Sequence, residues 1–129
     1  VSTTNVTVAS PGATIDGVSM ASGNRVLLTG QTTGSQNGVY VYNGSASAMT
    51  RATDADTSAE LLGSYYTAKE GTGISKIWYN TNTSTITVGS TTLSYASISN
   101  TNAASGDLTG SYPNPTIAAN GMITSCIPT

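Results

Sequence analysis

The densest group of ionisable side chains in this sequence is Asp54, Asp56 and Glu60. Acids at the first and third positions are how a calcium-binding loop of the EF-hand type begins. The pattern then breaks. Its fifth position is Ser58, its sixth is Ala59 where the sharp turn requires Gly, and its twelfth is Tyr65 where a bidentate Glu should stand. The same stretch fits a different device. Thr57-Ser58-Ala59-Glu60 matches S/T-x-x-E, in which the hydroxyl and the carboxylate satisfy each other's backbone N–H groups at a helix start. The acids therefore read as a helix cap and a solvated loop, and no metal or other cofactor is expected.

Gly71-Thr72-Gly73-Ile74-Ser75-Lys76 has the flavour of a phosphate loop but lacks the GxxxxGK[ST] spacing, and Lys76 falls inside an apparent strand, so a turn is the better reading. The chain has no His and no GxSxG elbow to activate its many serines. Ser–Lys chemistry would require Lys69 or Lys76 buried beside a Ser. No catalytic residue is expected, and the chain reads as a non-enzyme. Cys126 is the one cysteine; it reads as a small apolar residue rather than a reactive or pairing thiol. Tyr40, Tyr42, Tyr65, Tyr66, Trp78 and Tyr79 would suit a sugar-stacking face, against which stands the commoner use of strand aromatics in packing. Three N-x-[ST] sequons, at Asn5, Asn43 and Asn82, match chance in a chain about one-third Ser and Thr.

The elements that must carry these residues follow from composition. At 129 residues the chain is sized for one compact domain. Charged residues are only 8% of it, against about 25% in ordinary globular proteins, and the net charge is −2. Four scattered Lys and Arg cannot form a phosphate-seeking surface, so nucleic acid is not an expected partner. No run of about twenty apolar residues exists, so no membrane insertion by a helix is expected. The first five residues lack the basic and apolar regions of a secretory leader. Low net charge with 37% hydrophobic residues argues for a folded chain. Thr favours strands while Gly and Asn favour turns, which points to an all-β fold, a small antiparallel sandwich or barrel.

Local patterns support this. Residues 5–9 alternate as a half-buried strand does. Asp16-Gly17 between Ile15 and Val18 predicts a tight hairpin. Arg25 to Thr29 reads as a strand with Val26 and Leu28 on one face. Asn37-Gly38 precedes Val39-Tyr40-Val41-Tyr42, which sends both valines one way and both tyrosines the other. Residues 25–42 are therefore expected to form a hairpin. Further strands are expected over 48–53, 65–68, 74–79, 85–88 and 92–95, with a helical turn over 58–62 and a turn at 71–73.

The character changes near Asn100. The β domain is placed over residues 1–99, and residues 100–129 are expected to be an extended C-terminal arm. Pro113 and Pro115 impose extended backbone and remove ladder donors. The sparse apolar residues of this stretch cannot enclose a core. Leu108, Tyr112, Pro113, Pro115 and Ile117 are accordingly expected to bury themselves against another chain.

Two stretches carry a family resemblance. Residues 14–60 contain Thr-Ile-Asp-Gly-Val, Gly23-Asn-Arg-Val-Leu-Leu, Gln31-Thr-Thr, Gln36-Asn-Gly-Val-Tyr-Val and Met49-Thr-Arg-Ala-Thr-Asp-Ala-Asp, continued by Glu70-Gly71-Thr72 and Ile77-Trp78-Tyr79. This resembles a small β domain of bacteriophage virion proteins, especially tail fibres and related appendages. Ser105-Gly-Asp-Leu-Thr-Gly-Ser-Tyr-Pro-Asn-Pro-Thr-Ile-Ala118 is similar to a GDLTGTYPNPTIA element of phage fibre proteins, often beside trimeric segments. Asn24 replaces a common Asp, and Ala48-Met49 replaces a common Trp. The resemblance implies a virion location and a homotrimeric tail fibre or similar appendage that acts by assembly and attachment. Its partners would be other virion proteins of the tail or capsid, and a host surface glycan. Two other roles stay open: a capsid head decoration or cement protein whose arm clamps neighbouring subunits, and a glycan-binding adhesion module.

Overall fold

The computed structural model describes residues 1–99 and, beyond them, the backbone of 108–109 and 116–117. The described chain is all-β. The chain divides into two units, Val1–Ser97 and Ile98–Thr129.

In the first unit, β1 (Thr14–Ile15) and β2 (Val18–Ser19) form the expected hairpin. Its turn residues Asp16 and Gly17 have φ of 52° and 74°. Two positive φ values are what the right-handed twist of a two-residue hairpin demands, and Asp and Gly tolerate them best. β3 (Arg25–Leu28), β4 (Gly38–Val41) and β5 (Thr50–Arg51) form an antiparallel sheet in that order. β6 (Tyr65–Thr67) pairs antiparallel with β7 (Lys76–Asn80), and β8 (Tyr95–Ser99) completes that sheet on the far side of β7. A single helical turn, α1 (Ser58–Leu61), lies between β5 and β6. Its start carries the capping box of Thr57 and Glu60 read from the sequence. Among the described residues no helix is long and apolar enough to cross a membrane.

Strands β3 and β4 are covered on both faces, so Leu27 is buried as well as Val26 and Leu28. Leu27 and Val39 point to one core, shared with Ala52, Ala55, Leu61, Trp78, Ile86 and Leu93. Tyr66 and Tyr95 of the other sheet pack against it, so this core is the filling of a sandwich layer. Val26, Leu28, Tyr40 and Tyr42 point to the second core with Ile15 and Met49. The predicted division of valines from tyrosines along β4 is thus the division between two cores.

Three expected strands differ. Residues 5–9 make no ladder; the Gln31 side chain instead accepts from the Val6 N–H and donates to the Val6 carbonyl, both at 2.7 Å, replacing a strand neighbour. Residues 85–88 also make no ladder, although Ile86 is buried and its N–H is held by Ser58 Oγ at 3.0 Å. Thr92 to Ser94 precede β8 rather than form a strand, with Leu93 fully enclosed. In each case alternation recorded which side chains are buried, and side-chain groups (Gln31, Ser58, Asn82) together with isolated backbone bonds take the place of a ladder.

In the second unit, β9 (Leu108–Thr109) pairs antiparallel with β10 (Thr116–Ile117), and Leu108 lies opposite Ile117. Those two expected interface residues are cross-strand partners. Tyr112, Pro113, Pro115 and Cys126 lie outside the described residues.

Candidate functional site

Two of the three acids, Asp54 and Glu60, are engaged by other residues of the chain. Asp54 receives both its hydrogen bonds from Arg25 Nη2, at 2.7 and 2.9 Å. Glu60 Oε2 accepts from the Thr57 hydroxyl and from the backbone N–H groups of Thr57 and Asp56. Those bonds, the Thr57 hydroxyl first, hold the Glu60 carboxyl below its ordinary pKa. Among the described residues no three His, Cys, Asp or Glu converge as metal ligands.

The loop at Gly71 is a turn, as read. The Thr72 N–H and hydroxyl both donate to the Asp16 carboxylate, at 2.8 Å. A Cβ at Gly71 would collide with that carboxylate, and Gly71 has φ of 81°. Lys69 is exposed; Lys76 is half-buried, its Nζ 5.9 Å from the Trp78 ring centre.

The residues of the Gln-Asn-Gly-Val-Tyr-Val and Thr-Arg-Ala-Thr-Asp stretches build one polar hub. Asn37 is buried; its Oδ1 accepts from the Gln31 N–H at 2.9 Å, and its Nδ2 donates to the Leu93 carbonyl at 2.9 Å. Arg51 donates to the carbonyls of Asn37 and Ser35 and to the Tyr40 hydroxyl. Its guanidinium carbon also lies 4.8 Å from the Tyr40 ring centre. Gly38 is required because a Cβ there would strike Arg51, and its φ is 128°. Desolvation raises the Tyr40 pKa above its ordinary value, and the Arg51 cation opposes that rise. Sequence reading placed Asn37-Gly38 only as the lead into the strand of Val39 to Tyr42. That Asn37 is instead a buried linchpin needs long-range partners which local pattern does not reveal.

The six aromatics do not form a single platform. Tyr40 and Tyr42 are enclosed in one core, where the Tyr42 hydroxyl donates to the Gly12 carbonyl at 2.7 Å. Trp78 and Tyr66 face the other core, with the Tyr66 and Tyr95 rings 6.3 Å apart at 58°. Tyr65 and Tyr79 remain outside as direct cross-strand partners, 74% and 36% exposed. The pleat puts Ile77, 47% exposed, on the same outer face of β7 as Tyr79. One side of this sheet is therefore core while its other side presents Tyr65, Ile77 and Tyr79 to solvent.

Beside that face runs an open cavity of about 640 Å³. Its walls are two sheet edges, Arg25 to Leu27 of β3 and Tyr65 to Thr67 of β6. Apolar Val1, Val18 and Met20 and polar Asn24, Lys69 and Glu70 also line it. An exposed apolar sheet face suits the binding of another chain. No protein-family model, curated protein or solved structure matches this sequence.

Proposed function

We propose that this chain is a bacteriophage virion structural protein, a component of a homotrimeric tail fibre or similar appendage that works by assembly and attachment. The virion assignment draws on the resemblance of residues 14–60 and 105–118. The observation that carries the assembly reading is the sheet face of Tyr65, Ile77 and Tyr79. These large apolar side chains stand outside on a sheet whose other face is packed, which is the signature of a surface completed by a partner. Sedimentation equilibrium should return a mass three times the 13.0 kDa of one chain. A monomer across the whole concentration range would overturn the trimer. On intact particles, labelled chains should decorate the tail; labels on the shell would instead make this a head decoration protein.

The Tyr65–Tyr79 pair favours one second reading, adhesion to a host glycan, because adjacent exposed aromatic rings offer stacking surface to a sugar. Titration with glycans should then shift the ring resonances of these two tyrosines and leave those of Tyr40 and Tyr42 in place.

A further inference from the structure

The dipeptide Asn-Gly occurs twice among the described residues, as Asn37-Gly38 and Asn43-Gly44. This pair can react with itself, because a glycine nitrogen with no Cβ beside it reaches the amide carbon of the asparagine before it. The fold treats the two pairs in opposite ways. Asn37 is buried, and both ends of its amide are held, by the Gln31 N–H and the Leu93 carbonyl. The Gly38 nitrogen is engaged as well. Gly38 lies opposite Leu28, and the Tyr42 N–H donates to the Asn24 carbonyl, so alternation along the ladder directs the Gly38 N–H to the Leu28 carbonyl. Asn43 is exposed and follows the end of β4. Its Nδ2 donates to the Ala48 carbonyl at 2.8 Å and, at 3.4 Å, to Thr50 Oγ1. Its Oδ1 and the Gly44 N–H have no hydrogen-bond partner among the described residues. The nearest atom to a Cβ built on Gly44 is Ser47 Oγ at 3.4 Å, so no backbone crowds the reacting nitrogen.

We propose that Asn43 is a modification site, at which the folded chain converts its own asparagine to aspartate and isoaspartate while Asn37 is spared. The Gly44 nitrogen gives its proton to solvent base and bonds to Asn43 Cγ, closing a succinimide ring. The Cγ–Nδ2 bond breaks, and the nitrogen leaves as ammonia. Water then opens the ring. Attack at Cγ yields aspartate, and attack at the former main-chain carbonyl yields isoaspartate, whose backbone is longer by one carbon. The new carboxylate takes the formal net charge from −2 to −3. A carboxylate only accepts, so the Ala48 carbonyl loses its donor. The loop that changes is a clamp on the segment before β1. Its Ser45 carbonyl accepts from the Gly12 N–H at 3.0 Å, and its Met49 N–H donates to the Val8 carbonyl at 2.9 Å. Conversion at Asn43 therefore acts as a slow charge switch that loosens residues 8–12 and leaves the Asn37 hub in place.

The full chain is incubated in mildly alkaline buffer, folded or in concentrated urea, and sampled over time. Cleavage after Arg25 and Arg51 releases one peptide, residues 26–51, that carries both asparagines. Its fragment ions read the two positions in one spectrum. In the folded chain, acid should accumulate at position 43 at least about tenfold faster than at position 37, because cyclisation at the buried pair waits on local opening. In urea the two positions should convert at closely similar rates. Hydrogen exchange at the Gly12 and Met49 amides should quicken in the converted chain. Asn43→Gln, which would have to close a larger ring, should show neither the acid nor the faster exchange. Equal rates at 37 and 43 in the folded chain would overturn the selectivity. Conversion of position 43 in urea but not in the folded chain would overturn the site itself, with the Ala48 bond locking the amide. Acid at position 43 with unchanged exchange at Gly12 and Met49 would overturn the loosening.

Discussion

Asn37 and Leu93 are 56 positions apart in the chain, and Asn37 Nδ2 closes that separation with a 2.9 Å hydrogen bond to the Leu93 carbonyl. The other end of the same amide holds the Gln31 N–H. One side chain thereby fixes the loop before β4, the approach to β8 and the segment that pins Val6. Asn37→Ala leaves two buried backbone groups without partners, each costing about 1–3 kcal/mol. We expect a loss of about 2–4 kcal/mol in urea unfolding, with the Gln31 amide losing hydrogen-exchange protection. An unchanged midpoint would mean that water replaces the amide.

Arg51 has no carboxylate among its hydrogen-bond partners; two carbonyls and the Tyr40 hydroxyl hold it. Arg51→Met keeps the apolar stem and removes every one of those bonds. Stability should fall by about 2–4 kcal/mol. Because the cation favours the tyrosinate form, its removal should move the Tyr40 titration further upward from its already raised position. Ultraviolet titration of the variant checks this, and a downward movement would refute the assignment.

Alkaline stability tests the burial of Tyr95. Burial is the first cause that pushes its pKa up to about 12. The nearby Asn80 amide opposes this, but the Tyr95 hydroxyl and Asn80 Nδ2 both lack a hydrogen-bond partner, so desolvation dominates. The unfolded tyrosine releases its proton near pH 10 while the folded one keeps it until about pH 12. Within that window the unfolded state binds fewer protons, so stability falls as pH rises. Stability is therefore independent of this group below pH 10 and falls by on the order of 2 kcal/mol between about pH 10 and about pH 12. Tyr95→Phe removes an unsatisfied hydroxyl. Its neutral-pH stability should match or exceed that of the parent, and its alkaline limb should be shallower.

Trp78 is 8% exposed and its indole Nε1 has no partner. Its value is therefore apolar area and shape. Trp78→Ala should cost about 3–5 kcal/mol. Trp78→Phe, which keeps an aromatic body and deletes the orphaned N–H, should cost clearly less. Equal costs for the two would show that the indole N–H is satisfied after all. As the single tryptophan, Trp78 also reports unfolding by its emission, which should shift to the red in one step.

Much of the fold was legible because local chemistry and global packing agree in particular places. Asp16-Gly17 has the φ preferences its hairpin needs, Thr57 and Glu60 cap the helical turn they predict, and β4 alternates because a core lies on each side of it. The polar partners of extended segments were not legible. Nothing local to Val6 says that Gln31 will stand in for a strand, and nothing local to Ile86 says that Ser58 will hold its N–H. Tyr40 and Tyr42 pack, as the commoner use of strand aromatics leads one to expect, but strand periodicity shows only that they share a side, not that a second core covers that side. The cleft between β3 and β6 joins edges about forty positions apart, beyond the reach of any periodicity.

The exposed face offers the sharpest separation of stability from assembly. Ile77 and Tyr79 are partly open to solvent, and Tyr65 is almost fully so. Surface truncations away from core and caps usually move stability by no more than about 0.5 kcal/mol. Some cross-strand contact between Tyr65 and Tyr79 will be lost, worth about 0.2–1 kcal/mol. Tyr65→Ser with Ile77→Ser should therefore leave the single-chain fold within about 1–1.5 kcal/mol of the parent, read by Trp78 emission in urea. Self-association should weaken at least tenfold, because anchoring aromatic and aliphatic side chains at the centre of an interface commonly contribute 1–2 kcal/mol or more each. Sedimentation velocity across a dilution series supplies the readout. If the doubly substituted chain assembles as tightly as the parent, the face is not the contact, and the partners of these residues must be sought outside this chain.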